Sequence, residues 1–99
     1  MLIKFNKQVT AVSSAISFNT DVFRGICHRI FVEPATATTT YDITITDENG
    51  VVIYSDDGLK GKINDSTPQS MSGIYTVAIA TASADELFTF QFEVEQMVL

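Results

Sequence analysis

The stretch "TYDITITDENGVVIYS", Thr40 to Ser55, decides how the rest of the chain is read. From Thr40 to Thr46 the side chains alternate. Tyr41, Ile43 and Ile45 fall on one face and Asp42, Thr44 and Thr46 on the other, the period-2 pattern of a half-buried strand. "DENG", Asp47 to Gly50, then supplies an Asn-Gly pair, the strongest short-range hairpin signal because both residues tolerate positive φ, and "VVIYS" returns as the partner strand. Working outward toward the C-terminus, "IYTVAIAT" places Tyr75, Val77 and Ile79 on one face, and "SADE" turns the chain. "LFTFQFEVEQ" then sends Phe88, Phe90, Phe92 and Val94 inward, with Thr89, Gln91, Glu93 and Glu95 outward. Toward the N-terminus, "ATATTT", Ala35 to Thr40, reads as a loop entering a strand, and "VFRGICHRIFV" and "VTAVSSAISF" read as strands. Between the hairpin and Ile74, "DDGLKGKINDSTPQSMSG" is rich in Gly, Asp, Ser and Pro, which predicts mostly loop with one short strand around Leu59 to Ile63. The expectation is an all-β chain of about seven or eight strands with turns every 8–12 residues or so, an antiparallel β-sandwich of immunoglobulin-like or jelly-roll-like kind.

Composition agrees with a single domain spanning residues 1–99. Hydrophobic residues make up 45% and charged ones 18%, enough apolar surface to fold and too little charge for a disordered chain. Leu is scarce while Val, Ile, Thr, Phe and Tyr are common, which favours strand over helix. A single cysteine rules out an internal disulfide. "MLIKFNKQVTAVSSAISF" has no continuous apolar segment after its lysines, so no signal peptide is expected, and no apolar run approaches the roughly 20 residues of a membrane helix. A soluble product made in the cytoplasm, with no membrane partner, follows as the expectation. Charge is uneven: residues 1–33 carry four basic and two acidic side chains, net +2, residues 34–99 two basic and ten acidic, net −8, summing to −6. No basic stripe is offered to phosphates, so no nucleic-acid partner is expected. The split either lets the basic part of one copy meet the acidic part of another or is scattered over a solvated surface.

"FRGICHRIF", Phe23 to Phe31, sets the only cysteine beside the only histidine, with an arginine on either side, the composition of an activated thiolate. A strand forbids it. Neighbouring side chains point to opposite faces, which puts Cys27 with Phe23, Gly25, Arg29 and Phe31, and His28 with Arg24, Ile26, Ile30 and Val32. A buried free cysteine and a structural histidine are expected instead. Asp47, Asn49, Asp56 and Asp57 carry ligand-type oxygens, but the hairpin holds its turn and Asp56 at opposite ends of a strand, and the spacing is not that of an EF-hand. Turn chemistry accounts for them. No serine has a His and Asp arranged by motif, no Gly-rich phosphate loop occurs, and Asn64 in "NDS" is a glycosylation match only in a secreted chain. No enzyme, catalytic residue, metal site or cofactor is expected.

The Thr-rich and aromatic-rich β texture runs from "FNKQVTAVSSAISF" through "YDITITDENGVVIYS" to "GIYTVAIATASADELFTFQFEVEQ". With an acidic pI and no disulfide, it resembles small virion proteins of tailed bacteriophages, of the capsid cement or decoration type. That resemblance implies a β-sandwich that binds the outer capsid surface and bridges neighbouring capsid subunits. It implies as partners the major capsid protein or other virion proteins, a homo-oligomer (dimer or trimer), and residence in the virion; a small head-to-tail or tail component is the neighbouring alternative. A carbohydrate-binding or adhesion β-sandwich module is the second class, weakened by the absence of Trp and by the inward stripes that use most Phe and Tyr. Candidate interface residues are the apolar ends, Leu2, Ile3 and Phe5 with Lys4, and Met97, Val98 and Leu99, together with the basic Arg24 and Arg29. The ends could equally pair as edge strands of their own domain.

Overall fold

The fold was read from a computed structural model, which describes residues 1–82 and 85–97. Among these, nine strands form: β1 Leu2–Ala11, β2 Ile16–Asn19, β3 Phe23–Pro34, β4 Thr40–Thr46, β5 Val52–Lys60, β6 Ile63–Asp65, β7 Gln69–Gly73, β8 Thr76–Ala80 and β9 Glu86–Gln96. They build two packed sheets. One has the order β1-β9-β3-β6, with β7 continuing the β6 edge along β3, and the other the order β2-β8-β4-β5. Every pairing is antiparallel.

The pairings resolve the topology left open by the sequence. β4 pairs β5, β3 pairs β6 and β7, β2 pairs β8 and β1 pairs β9, so the chain is a doubled ribbon whose tip is the Asp47–Val51 turn. Rolling that ribbon brings β3 against β9 and β4 against β8 and closes the two sheets. This is the jelly-roll arrangement, and the immunoglobulin-like alternative is set aside.

The strand count exceeds the expected seven or eight for two local reasons. "VTAVSSAISF" is not one strand: the chain must leave the first sheet for the second, and does so through a 3-10 turn at Val12–Ser14, with Ser14 at φ 70°, between β1 and β2. The Gly- and Ser-rich segment after Ser55 is mostly strand. β5 continues to Lys60 by absorbing an extra residue opposite Asp42, whose Oδ1 accepts a hydrogen bond from the Gly58 amide at 2.6 Å. β6 and β7 then line β3 in turn. The expected hairpin forms, but with a three-residue loop. The Gly50 amide donates to the Asp47 carbonyl at 3.1 Å and the Asp47 amide to the Val51 carbonyl at 2.9 Å, leaving only Gly50, at φ 79°, in the left-handed region. Asp47 Oδ1 accepts from the amides of Asn49 and Val51, which is why Asp leads this turn.

The core lies between the sheets. β9 contributes Phe88, Phe90, Phe92 and Val94, all fully buried, against Tyr41, Ile43 and Ile45 of β4 and Val77 and Ile79 of β8. Phe90 meets Phe18 edge-on at 4.8 Å, Phe88 meets Tyr41 at 5.0 Å, and Phe92 lies 6.2 Å from Phe23 and 6.0 Å from Phe5. Each such ring contributes about 1.5–3 kcal/mol by leaving water, with more from the edge-to-face geometry. Tyr41 is buried with its hydroxyl donating to the Gly61 carbonyl at 2.7 Å. Burial, with smaller contributions from Tyr54 and Asp56, pushes the Tyr41 phenol up to about 12.

One face assignment is overturned. Against β9, Cys27 pairs with Val94 and Arg29 with Glu93, so His28 has no opposite residue and β3 bulges there. The extra residue resets the alternation. Phe23 and Cys27 point inward before it, Ile30 and Val32 after it, while Arg29 and Phe31 turn outward, contrary to the sets expected of a regular strand.

Candidate functional site

The bulge also decides the chemistry of Cys27 and His28. Cys27 is buried and its Sγ donates to the Arg29 carbonyl at 3.3 Å; His28 is exposed on the other side of the strand. Burial, reinforced by the charges of Asp65 and Glu93, raises the thiol pKa against the opposing hydrogen bond. A nucleophilic cysteine needs the opposite shift. Replacing Cys27 by Ser is expected to cost about 1–2 kcal/mol by placing a hydroxyl in an apolar site, and His28→Gln to stay within about 0.5 kcal/mol. Binding and assembly should be unchanged for both. Thermal unfolding read beside a binding assay checks this, and a normally folded variant that lost binding would assign that residue a functional role.

Among the described residues no three His, Cys, Asp or Glu side chains gather where they could hold a metal ion, and no helix is long and apolar enough to cross a membrane. A recess of about 630 Å³ lies where the ends of β3 and β9 meet the β5–β6 connection. Its walls are Glu33, Pro34, Ala35, Lys62, Leu87 and neighbours, one carboxylate and one ammonium on an open floor. Next in the chain to its wall residue Leu87 is the buried Glu86, a group the sequence reading passed over. Its carboxylate accepts from the Thr36 amide and the Thr39 hydroxyl, both at 2.9 Å, and so ties the β3–β4 loop to the start of β9. The signal available was an acid at the end of "SADE" facing a run of threonines, which only the fold brings together.

Burial alone would raise the Glu86 carboxyl; the bonds from Thr36 and Thr39 outweigh it and hold the pKa below the ordinary 4.5. A depressed carboxylate stabilises the folded state above its unfolded pKa, and that contribution is lost as pH falls through the folded value. Glu86→Gln is therefore expected to cost about 1–2 kcal/mol at neutral pH, and progressively less as pH falls below 4.5 through the lower pKa of the folded state. Urea midpoints measured across the acid range check it; an equal loss at every pH would contradict it.

The residues expected at an interface do not form one patch. Leu2, Ile3, Lys4 and Phe5 lie in β1, paired along their length with Phe92–Glu95 of β9. Phe5 meets Phe23 edge-on at 5.7 Å, so it packs within its own domain, whereas Leu2 is 52% exposed. Met97 is 67% exposed and follows Gln96, whose amide and carbonyl bond Met1; Val98 and Leu99 lie outside the described residues. Arg24 and Ile26 share this corner, giving an exposed cluster of Leu2, Ile26 and Met97 beside a shallow recess around Gly25. Arg29 is engaged inside the chain. Its Nε donates to Asn64 Oδ1 at 2.8 Å, its Nη1 lies 3.4 Å from Glu93 Oε1, and its guanidinium stands 5.2 Å from the Phe31 ring centroid.

Around Arg29 the outer face of the first sheet is a polar lattice. Gln91 Nε2 donates to Asn6 Oδ1 at 3.0 Å and Gln8 Nε2 to Thr89 Oγ1 at 3.3 Å, linking β1 to β9 on the solvent side. The outer face of the second sheet carries Ser17, Ala78, Thr44 and Ser55 in one cross-strand row. Compared with known proteins, the chain matches no family model and no curated protein.

Proposed function

We propose that this chain is a non-enzymatic structural protein of a bacteriophage particle, a cement or decoration protein that bridges neighbouring subunits of the capsid. The observation that carries the reading is the construction of the slab itself. A jelly roll measuring 42 × 24 × 19 Å turns its aromatic stripes inward, links β1 to β9 by side-chain hydrogen bonds on one outer face, and presents the row Ser17, Ala78, Thr44 and Ser55 on the other. Such faces suit docking on another protein surface, where shape and many weak polar contacts act together. The buried thiol with its raised pKa, the exposed histidine turned away from it, and a recess beside β3 and β9 with a single carboxylate favour binding over catalysis. Every Phe and Tyr is at least half-buried, so none offers the open ring on which sugars stack, which disfavours the carbohydrate-binding alternative. Fold alone does not assign the role, since jelly rolls carry many functions.

The test is co-sedimentation of the purified chain with phage heads over a salt series, beside tails and tailless heads as separate arms. Saturable binding to heads that weakens as salt rises is the expected result. Binding to tails alone would assign it to the tail, and absence from every particle at every salt concentration would end the virion reading.

A further inference from the structure

Five strands line the edges of the two sheets, and they differ in length. β2 has four residues, β6 and β7 three and five, but β1 runs for ten and β5 for nine, and among the described residues no strand pairs with the outer side of either. Long bare edges invite pairing with another chain unless something blocks it. Each of these two carries the same kind of block. Lys7 pairs in register with Phe90, and Asp56 with Ile43; both partners are wholly buried, so Lys7 and Asp56 occupy inward positions of their strands, and yet both are exposed. An inward-placed charge on an edge strand repels a second copy of the same edge.

The two charges have opposite sign. β1 holds Lys4 and Lys7 and no acid, while β5 holds Asp56 and Asp57 against the single Lys60 at its end, with Asp65 of β6 near Tyr54 on the same flank. The ribbon topology sets β1 and β5 on opposite flanks of the sandwich, β1 beside β2 and β5 beside β6. Pairing β1 with β1 in line with Lys7 brings lysines together, and pairing β5 with β5 in line with Asp56 brings aspartates together. β1 against β5 of another copy sets the two inward-placed charges of opposite sign side by side.

We infer that the chain associates head to tail with copies of itself, the basic β1 edge of one molecule lying along the acidic β5 edge of the next, with Lys7 and Lys4 facing Asp56 and Asp57. Such an interface is heterologous: it joins two different surfaces, so it closes only as a ring of three or more or grows as an open chain, and does not stop at a dimer. Main-chain hydrogen bonds between the edges supply attraction, and the charges select which edge meets which. The inference does not depend on attachment to a capsid, so solution experiments on the free chain test it separately from co-sedimentation.

Light-scattering mass is followed against concentration for the full chain at low and high salt. Growth past the dimer mass that recedes with salt is expected. Lys7→Glu and Asp56→Lys each place like charges at one interface and should raise the concentration of half-association by about tenfold or more. The double variant Lys7→Glu/Asp56→Lys, and an equimolar mixture of the two single variants, restore opposite charges and should return it to near the wild-type value. Both residues are exposed, so thermal midpoints should stay close to wild type. A monomer at every concentration overturns the proposal. So does a dimer limit, a loss with Lys7→Glu but none with Asp56→Lys, or a double variant that fails to recover.

Discussion

Replacing Gly25 by alanine is expected to remove about 4 kcal/mol or more of stability, close to the whole of a small domain's 5–15 kcal/mol. Gly25 lies in β3 where β9 crosses closest, at φ 154°. A Cβ at this position would overlap the Glu95 carbonyl oxygen and stand 2.8 Å from its carbon and 3.2 Å from the Gln96 Cα. All three atoms are main chain of the neighbouring strand, so no rotamer change relieves the clash. β9 would have to move, and with it the pairings of Gly25 with Gln96 and Ile26 with Glu95. Gly50 and Gly58 give the control, since both have positive φ but nothing within 4 Å of a new Cβ. Alanine there should cost about 1 kcal/mol from backbone strain alone. Denaturant midpoints at constant m-value separate the two effects, and a Gly25→Ala loss no larger than that of Gly50→Ala would refute the close-approach argument.

Phe92→Ala should cost about 3–5 kcal/mol, the upper range for a buried ring. The side chain is fully buried and stands among Phe5 of β1 and Phe23 of β3, so one truncation empties the contact between three neighbouring strands. Those rings are held by main-chain pairing on both sides of β9 and cannot collapse far into the space. Phe92→Leu keeps most of the volume and should cost about 1.5 kcal/mol or less. Phe31 is the contrast: on the outer face, with Arg29 over its ring, its loss to alanine should cost about 1 kcal/mol. Equal losses at Phe92 and Phe31 would contradict the burial assignment.

The strands that the sequence announced are those with one dry face. β4 has the bounds of its alternating run, Thr40 to Thr46, and the inward side chains of β8 and β9 are those the period-2 pattern named, because a residue facing the core has little choice of chemistry. The short strand expected around Leu59 to Ile63 reaches only the first residue of β6, and β7 reads as loop, since the composition is that of turns; both are strands because β3 offers a long edge for them to pair with, a cause outside the segment itself. The bulge at His28 was equally invisible. Nothing in "FRGICHRIF" says that β9 supplies one residue against two, and the faces of Ile30 and Val32 turn on that count. For the site, local pattern sufficed to separate Cys27 from His28. The Glu86 bonds to Thr36 and Thr39 and the opposed charges of β1 and β5 join segments far apart in the chain, and needed the topology.

The doubled ribbon also orders events in time. Its tip, the Asp47–Val51 turn, joins residues adjacent in sequence, whereas the final pairing of β1 with β9 reaches across 95 residues between Met1 and Gln96. Closing loops of such different span costs unequal entropy, so nucleation at the β4–β5 hairpin followed by zipping outward is the favoured route, with folding in the millisecond-to-second range typical of nonlocal β topologies. On the ribosome, β1 and β2 emerge first and wait for β8 and β9, made last. Asn6, Lys7, Gln8, Ser13 and Ser14 sit in or just after that waiting strand, polar interruptions of the kind that disfavour pairing with a wrong chain.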